Sequence, residues 1–132
     1  MDQKILIVDD EPHIRLLLER TLLAFEDEGV EILIADNGEA ALAMIQAEKP
    51  ALVFLDVMMP KMNGFDVCQK VKKELGLEDV YIVMLTAKGQ EFDKQRGEEV
   101  GANIYMTKPF DPDEIRDKVK EVLVVEQTEF AD

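Results

Sequence analysis

The stretch "ILIVDDEPH", residues 5–13, determines how this 132-residue chain can fold. Four aliphatic residues end abruptly in Asp9, Asp10 and Glu11, and Pro12 follows directly. A short aliphatic run is typical of a buried strand, and a proline preceded by acidic residues is typical of the first turn of a helix. The stretch therefore predicts a strand whose carboxyl end carries three carboxylates and leads into a helix.

The same alternation of strand and helix continues along the chain. Apolar runs predict five strands, at Lys4–Val8, Glu31–Ala35, and residues 51–55, 80–85 and 103–106. Apolar residues at helical spacing predict five helices, at residues 12–27, 38–48, 65–75, 90–100 and 113–124. Elements that alternate in this way form a parallel sheet with helices on both faces. The fourth helix is expected to be weakly anchored, because its only large apolar residues are Phe92 and Val100.

Composition predicts one globular domain, which we place at residues 1–125, followed by a frayed acidic tail at residues 126–132. Hydrophobic residues make up 47% of the chain and charged residues 33%. No apolar stretch approaches the roughly 18 residues of a membrane span. The single cysteine, Cys68, fits a reducing compartment, so a cytoplasmic protein is expected.

The charge balance narrows the range of partners. The formal net charge is −14, and such a field repels nucleic acid and anionic membranes. We therefore expect neither direct binding to nucleic acid nor binding to a membrane. Metal cations and proteins with basic patches remain as partners.

Polar residues follow the predicted strands at the points where those strands end. Asp9 and Asp10 follow the first strand, Asp56 the third, Thr86 the fourth and Lys108 the fifth. In an open parallel sheet, ligands bind at the carboxyl ends of the strands. Each residue alone also fits an ordinary role: an aspartate can cap the helix at Pro12, a threonine can end a strand, and a lysine can be solvated. Together they predict one shared crevice.

Carboxylates crowded into such a crevice cannot all stay ionised without compensation. Either some of them hold protons, or a cation lies among them. Mg²⁺ suits two aspartates, a backbone carbonyl and waters, because it is a hard ion with oxygen ligands. A metal, a lysine, a hydroxyl and a spare carboxylate are the groups used in phosphoryl transfer, with an aspartate as the candidate nucleophile.

Four stretches resemble, in order and spacing, the receiver domain of bacterial two-component response regulators. They are "ILIVDDE" (5–11), "VFLDVMMPKMNGFD" (53–66), "VMLTA" (83–87) and "GANIYMTKPF" (101–110). The resemblance covers roughly residues 4–124, which is nearly the whole chain. It implies a flavodoxin-like sheet of five parallel strands in the order 2-1-3-4-5, with five helices.

The resemblance also implies a phosphoacceptor and a metal site. Asp56 would accept a phosphoryl group from the phosphohistidine of a sensor histidine kinase or a histidine phosphotransfer protein. Asp10 and Asp56 would bind Mg²⁺ directly, together with the backbone carbonyl of Met58. Asp9 would act on the metal through a water.

The remaining implied residues form the switch. Lys108 would contact a phosphoryl oxygen or, before phosphorylation, Asp56. Thr86 would swing to hydrogen-bond the phosphoryl group, and Tyr105 would move inward as Thr86 leaves its space. The peptide bond between Lys108 and Pro109 would be cis.

The expected protein is thus a switch and not an enzyme, since it catalyses only its own phosphorylation and dephosphorylation. Its surface at residues 90–118 would shift to control a downstream protein, as a monomer or as a phosphorylation-dependent dimer. One alternative is a receiver cut from a longer DNA-binding or enzymatic regulator. Another is a phosphatase with an aspartyl nucleophile, although such enzymes place two carboxylates as D-x-D on one strand. The third is a receiver-like module that is never phosphorylated.

Overall fold

The protein is described by a computed structural model that covers residues 3–87, 91–108 and 110–123, apart from the side chains of residues 87 and 91–94. Its centre is one sheet of five parallel strands in the order β2-β1-β3-β4-β5. The strands are β1 (Lys4–Val8), β2 (Glu31–Ala35), β3 (Leu52–Asp56), β4 (Tyr81–Ala87) and β5 (Ile104–Lys108). The predicted fold class and strand order are therefore confirmed.

The register of the strands brings their carboxyl ends to one edge of the sheet. Val8 lies beside Leu55, so Asp9 follows β1 next to the end of β3. Asp56 lies beside Leu85 on β4, and Lys108 on β5 lies beside the residue that follows Thr86. All the strand-end residues of the predicted crevice thus meet on the same side of the molecule.

Helices cover both faces of the sheet because the central strands are apolar on both faces. All five residues of β3 and the last four of β1 are buried. Successive side chains along the strands pack alternately into two separate hydrophobic cores. One core contains residues of helices α3 (Gly38–Glu48) and α4 (Gly64–Gln69), and the other contains residues of α1 (Pro12–Thr21) and α6 (Pro112–Val122).

The first predicted helix is divided into α1 and a short α2 (Leu23–Glu26), so the described residues hold six α-helices where five were expected. The division occurs at Leu22, which has φ −96° and ψ 2°. Just before it, the Thr21 hydroxyl donates a 2.8 Å hydrogen bond to the carbonyl of Leu17. Bonds of this kind compete with the helix backbone and bend helices.

The third predicted helix begins at Gly64, where the side chain of Asn63 accepts the backbone N–H of Asp66 at 2.9 Å. It continues beyond α4 as a π-helical segment, Lys70–Glu74. There the N–H of Leu75 donates to the carbonyl of Lys70 at 2.8 Å, five residues back. The apolar period of the sequence does not reveal this local widening.

The fourth predicted helix is α5 (Glu91–Glu99). Among residues 95–99, whose side chains are described, only Gly97 is buried, and Val100 enters the core directly afterwards. The Phe92 side chain, Gln90, the peptide bond to Pro109 and the tail at residues 126–132 lie outside the described residues. Within the described part of the chain, no helix is both long and apolar enough to cross a bilayer.

Candidate functional site

A crevice opens at the carboxyl edge of the sheet, where the sequence predicts the site. The residues that line it are Asp10, Glu11, Asp56, Val57, Met58, Leu85 and Lys108. Four of the predicted site residues therefore share one crevice, and Asp9 lies beneath it, fully buried. Met58 is 67% exposed, so its side chain is at the mouth of the crevice and does not pack into the core.

Lys108 joins the carboxylates of the crevice. Its Nζ lies 2.9 Å from Oδ2 of Asp9, 3.2 Å from Oδ1 of Asp56 and 3.6 Å from Oε1 of Glu11. The Asp9 and Asp56 side chains are almost fully buried, whereas that of Glu11 is half exposed. One ammonium group thus bridges two buried carboxylates and faces a third at the surface.

The surroundings shift the proton affinity of both Asp56 and Lys108. Burial raises the pKa of Asp56 to about 6, and the charge of Asp9 adds to this, while Lys108 opposes the rise. Burial alone would lower the pKa of Lys108, but the hydrogen bond to Asp9 and the charges of Asp56 and Asp9 outweigh burial and raise it. Lys108 is therefore a stable cation, and Asp56 is ionised at neutral pH in a setting that disfavours its charge.

Asp9 is held by the backbone around it as well as by Lys108. Its Oδ1 accepts the N–H of Glu11 at 3.0 Å, and its own N–H donates to the carbonyl of Ala35 at 3.2 Å. The residue that precedes α1 is Glu11, and its side chain makes no capping hydrogen bond. Asp9 is thus not a regular cap of α1. It accepts the N–H of Glu11, which lies one residue before the first residue of the helix.

The three acidic residues that follow β1 could hold a cation together. One oxygen each from Asp9, Asp10 and Glu11 lie within 4.8 Å of one another. All the donors are carboxylate oxygens, which fits a hard divalent ion. Asp56 is not part of this group, although it lines the same crevice as Asp10.

Glu11 is the charged residue of the crevice that was not among the predicted site residues. Its contact with Lys108 and its closeness to Asp10 were not predicted. The signal was present, because Glu11 completes the acidic run at the end of the first strand.

The two predicted switch residues lie on β4 and β5. Thr86 is buried, and its Oγ1 donates to the carbonyl of Met106 at 3.4 Å. Tyr105 is half-buried and packs against the core on the α3 and α4 face of the sheet. Thr86 is thus bonded to the neighbouring strand. The partner of Thr86 in register on that strand is Thr107, and Tyr105 lies two residues before Thr107.

Comparison with known proteins identifies the family. The family model for the response regulator receiver domain matches residues 5–120. The "Probable transcriptional regulator ycf27" of Porphyra purpurea is 48% identical over 121 residues, 92% of this chain and 47% of the relative. The "Alkaline phosphatase synthesis transcriptional regulatory protein PhoP" of Bacillus subtilis is 46% identical over 123 residues, 93% of this chain and 49% of the relative. The chain spans about half the length of these relatives.

A solved structure agrees with the sequence matches. The solved structure of the chemotaxis response regulator CheY4 of Vibrio cholerae superimposes with a TM-score of 0.79, and that protein is 34% identical. The alignment covers 92% of this chain and 99% of that chain. The profile match, the relatives and the shared fold agree over nearly all of the described residues. The chain belongs to the response regulator receiver domain family.

Proposed function

We propose that this receiver domain is a phosphorylation switch in which Asp56 accepts a phosphoryl group from a phosphohistidine. The observation that carries the proposal is the buried Asp56 carboxylate, whose Oδ1 lies 3.2 Å from the ammonium of Lys108 at the base of an open crevice. A carboxylate that is ionised but poorly solvated is a good nucleophile. The adjacent cation can stabilise the negative charge of the group that arrives.

In the proposed transfer, an Asp56 carboxylate oxygen attacks the phosphorus of the donor. The new O–P bond forms an acyl phosphate as the P–N bond to the donor imidazole breaks, and that imidazole takes up a proton from solvent. Lys108 is already bonded to Oδ1 of Asp56, so it needs only a short displacement to contact a phosphoryl oxygen. The donor is a sensor histidine kinase or a histidine phosphotransfer protein.

We assign the metal site of this proposal to Asp10, Asp56 and the backbone carbonyl of Met58, with Asp9 acting through a water. The oxygen donors of the acidic group fit Mg²⁺. When bound, Mg²⁺ would supply positive charge that offsets the carboxylates and the charge of the phosphoryl group. Such an ion is needed because Lys108 is one cation facing three carboxylates.

The switch step is assigned to Thr86 and Tyr105. The hydrogen bond from Thr86 to the carbonyl of Met106 is long, at 3.4 Å, so its loss costs little. A phosphoryl oxygen offers the Thr86 hydroxyl a stronger, charge-assisted acceptor. Tyr105 would then move inward as Thr86 leaves its space.

The proposed output is contact with a downstream protein through the surface at residues 90–118, in the cytoplasm. At residues 95–99 of α5 only Gly97 is buried, which supports this choice, because a segment with few buried side chains can shift at small cost. Phosphorylation would act on a monomer or favour a dimer. In a longer regulator, the same surface would act on a neighbouring domain.

Incubation with acetyl phosphate and Mg²⁺, followed by intact-mass measurement, tests the proposal. Wild type should gain one phosphoryl group that is labile in acid and alkali. Asp56→Asn should gain none, and a chelator should abolish the gain. Equal labelling of Asp56→Asn would contradict the assignment of the site.

A further inference from the structure

Arg15 reaches back from α1 to the turn that carries the acidic residues. Its Nη1 donates a 2.8 Å hydrogen bond to the backbone carbonyl of Asp9. Its own N–H donates to the carbonyl of Glu11 at 3.1 Å, as the first turn of α1 requires. Arg15 therefore holds the turn at two carbonyls, one through its side chain and one through its backbone.

The carbonyl that Arg15 binds belongs to the peptide unit between Asp9 and Asp10. A peptide unit is planar, so fixing its carbonyl also fixes the N–H and the Cα of the next residue. The Asp10 side chain is exposed, so packing does little to set its direction. The backbone that carries Asp10 is thus the main constraint on where its carboxylate lies.

Arg15 is an unexpected neighbour for a cation site. A guanidinium beside three carboxylates would ordinarily form an ion pair with one of them. Here the described bond goes to a backbone carbonyl, and the ammonium that pairs with the carboxylates is that of Lys108. Arg15 therefore leaves the carboxylate of Asp10 available while it restrains the turn.

We infer that Arg15 is a positioning residue that orients Asp10 toward the cation through its bond to the Asp9 carbonyl. The inference rests on the proposed function, because it assigns Asp10 to a Mg²⁺ site. A positioning role and a purely electrostatic role predict opposite changes in Mg²⁺ affinity when Arg15 is replaced. Removing a positive charge near an acidic site should by itself strengthen cation binding, whereas removing a restraint on a ligand should weaken it.

The test is a titration of the full chain with MgCl₂ at constant ionic strength, followed by backbone amide NMR shifts. Arg15→Met should bind Mg²⁺ about tenfold more weakly than wild type, as expected for loss of a group that orients a metal ligand. Arg15→Lys keeps a donor that can reach the carbonyl, so it should recover most of the affinity. Arg20→Met is the matched control, because Arg20 is an exposed cation in the last turn of the same helix.

The outcomes separate this inference from the function on which it rests. Unchanged or tighter Mg²⁺ binding by Arg15→Met would overturn the positioning role alone. An equal loss in Arg15→Lys or in Arg20→Met would overturn it as well. A wild type that binds no Mg²⁺ would overturn both the inference and the proposed function. Arg15→Gln, whose side chain is shorter and uncharged, replaces Arg15→Met if that variant does not fold.

Discussion

At the scale of single residues, the surroundings of the Asp56 carboxylate raise its pKa to about 6. Asp56 is 5% exposed, lies near Asp9, and is compensated by Lys108. Its raised pKa means that the folded protein binds a proton there more tightly than the unfolded chain does. Folding stability is therefore lost as the pH rises from about 4 toward about 6, where the folded carboxyl ionises. Above that pH, Asp56 is ionised in the folded protein, and its buried charge lowers the free energy of unfolding by the full amount.

Asp56→Asn should therefore stabilise the protein at pH 7.5 in the presence of a chelator. Each pKa unit corresponds to about 1.4 kcal/mol, so the shift from 3.8 to about 6 allows a gain of up to about 3 kcal/mol. The gain should vanish below pH 4, where the wild-type carboxyl is also neutral. Urea unfolding at the two pH values measures it. Asp117→Asn, at an exposed position, is the control, and an equal gain at both pH values would disprove the prediction.

Lys108→Met should destabilise the protein, because it leaves two buried carboxylates without their cation. Breaking a buried ion pair from one side costs about 3–5 kcal/mol. The loss at neutral pH should be smaller in the double variant with Asp56→Asn, since one of the two buried charges is then absent. Urea unfolding of the single and double variants measures this coupling. Lys120→Met, at an exposed position of α6, should change little, and additive effects would contradict the proposed bridge.

The residue types of the site follow from the sequence, and the family resemblance implies the contact of Lys108 with Asp56. The contacts of Lys108 with Asp9 and Glu11 were not predicted. Asp9, Asp56 and Lys108 could be predicted because each stands at the end of an apolar run in a chain that alternates strand and helix. The contacts of Glu11 and Arg15 could not, because side-chain direction depends on how the first turn of α1 is oriented against the sheet.

At the scale of the elements, two glycines allow close backbone packing around the connection from β3 to α4. A Cβ on Gly64 would clash with the carbonyl oxygen of Asp56. A Cβ on Gly38, at the start of α3, would meet the carbonyl oxygen of Met62. The start of α4 therefore packs directly on the backbone of the proposed phosphoacceptor, which leaves no room for a side chain.

Gly64→Ala and Gly97→Ala should change stability in opposite directions. Gly64→Ala forces the backbone of Asp56 to move, and overpacking of this kind costs about 1–3 kcal/mol. Gly97 lies inside α5, where the nearest atoms to an added Cβ are 3.9 Å away. Gly97→Ala should therefore gain up to about 1 kcal/mol from helix propensity. Thermal unfolding of both variants measures this, and a stable Gly64→Ala protein would contradict the close packing.

The amides of α5 should exchange with solvent faster than those of α4. Among residues 95–99 only Gly97 is buried, whereas α4 buries four of its six residues: Gly64, Phe65, Val67 and Cys68. Elements with few buried contacts open at lower free energy. Native-state hydrogen exchange at residues 97–100 and 67–70 compares the two. Equal protection would remove the main support for α5 as a moving element.

Most element positions could be predicted from apolar periodicity, while two interruptions could not. The strands shift by at most two residues at either end from their predicted bounds. At the break at Leu22, the Thr21 hydroxyl donates to the Leu17 carbonyl, a contact that the apolar pattern does not reveal. The π-helical segment depends on one added residue per turn, which leaves the polar and apolar pattern almost unchanged.

At the scale of the whole molecule, the alternation of strands and helices fixes the class of fold but not the order of the strands. Five parallel strands can be arranged in many orders that all bury the same apolar faces. The order 2-1-3-4-5 was predicted from resemblance alone, and the structure confirms it. This order places β1 next to β3, so that Asp9 and Asp56 lie 2.9 Å and 3.2 Å from the same Lys108 ammonium.

The central claim is that Asp56 carries the phosphoryl group, and chemical trapping tests it most directly. The chain is incubated with acetyl phosphate and Mg²⁺, and borohydride then reduces any acyl phosphate to the corresponding alcohol. Peptide mass spectrometry should find homoserine at position 56, and this signal should be absent when a chelator is added. Homoserine at Asp9 or Asp10 with an unmodified Asp56 would contradict the claim.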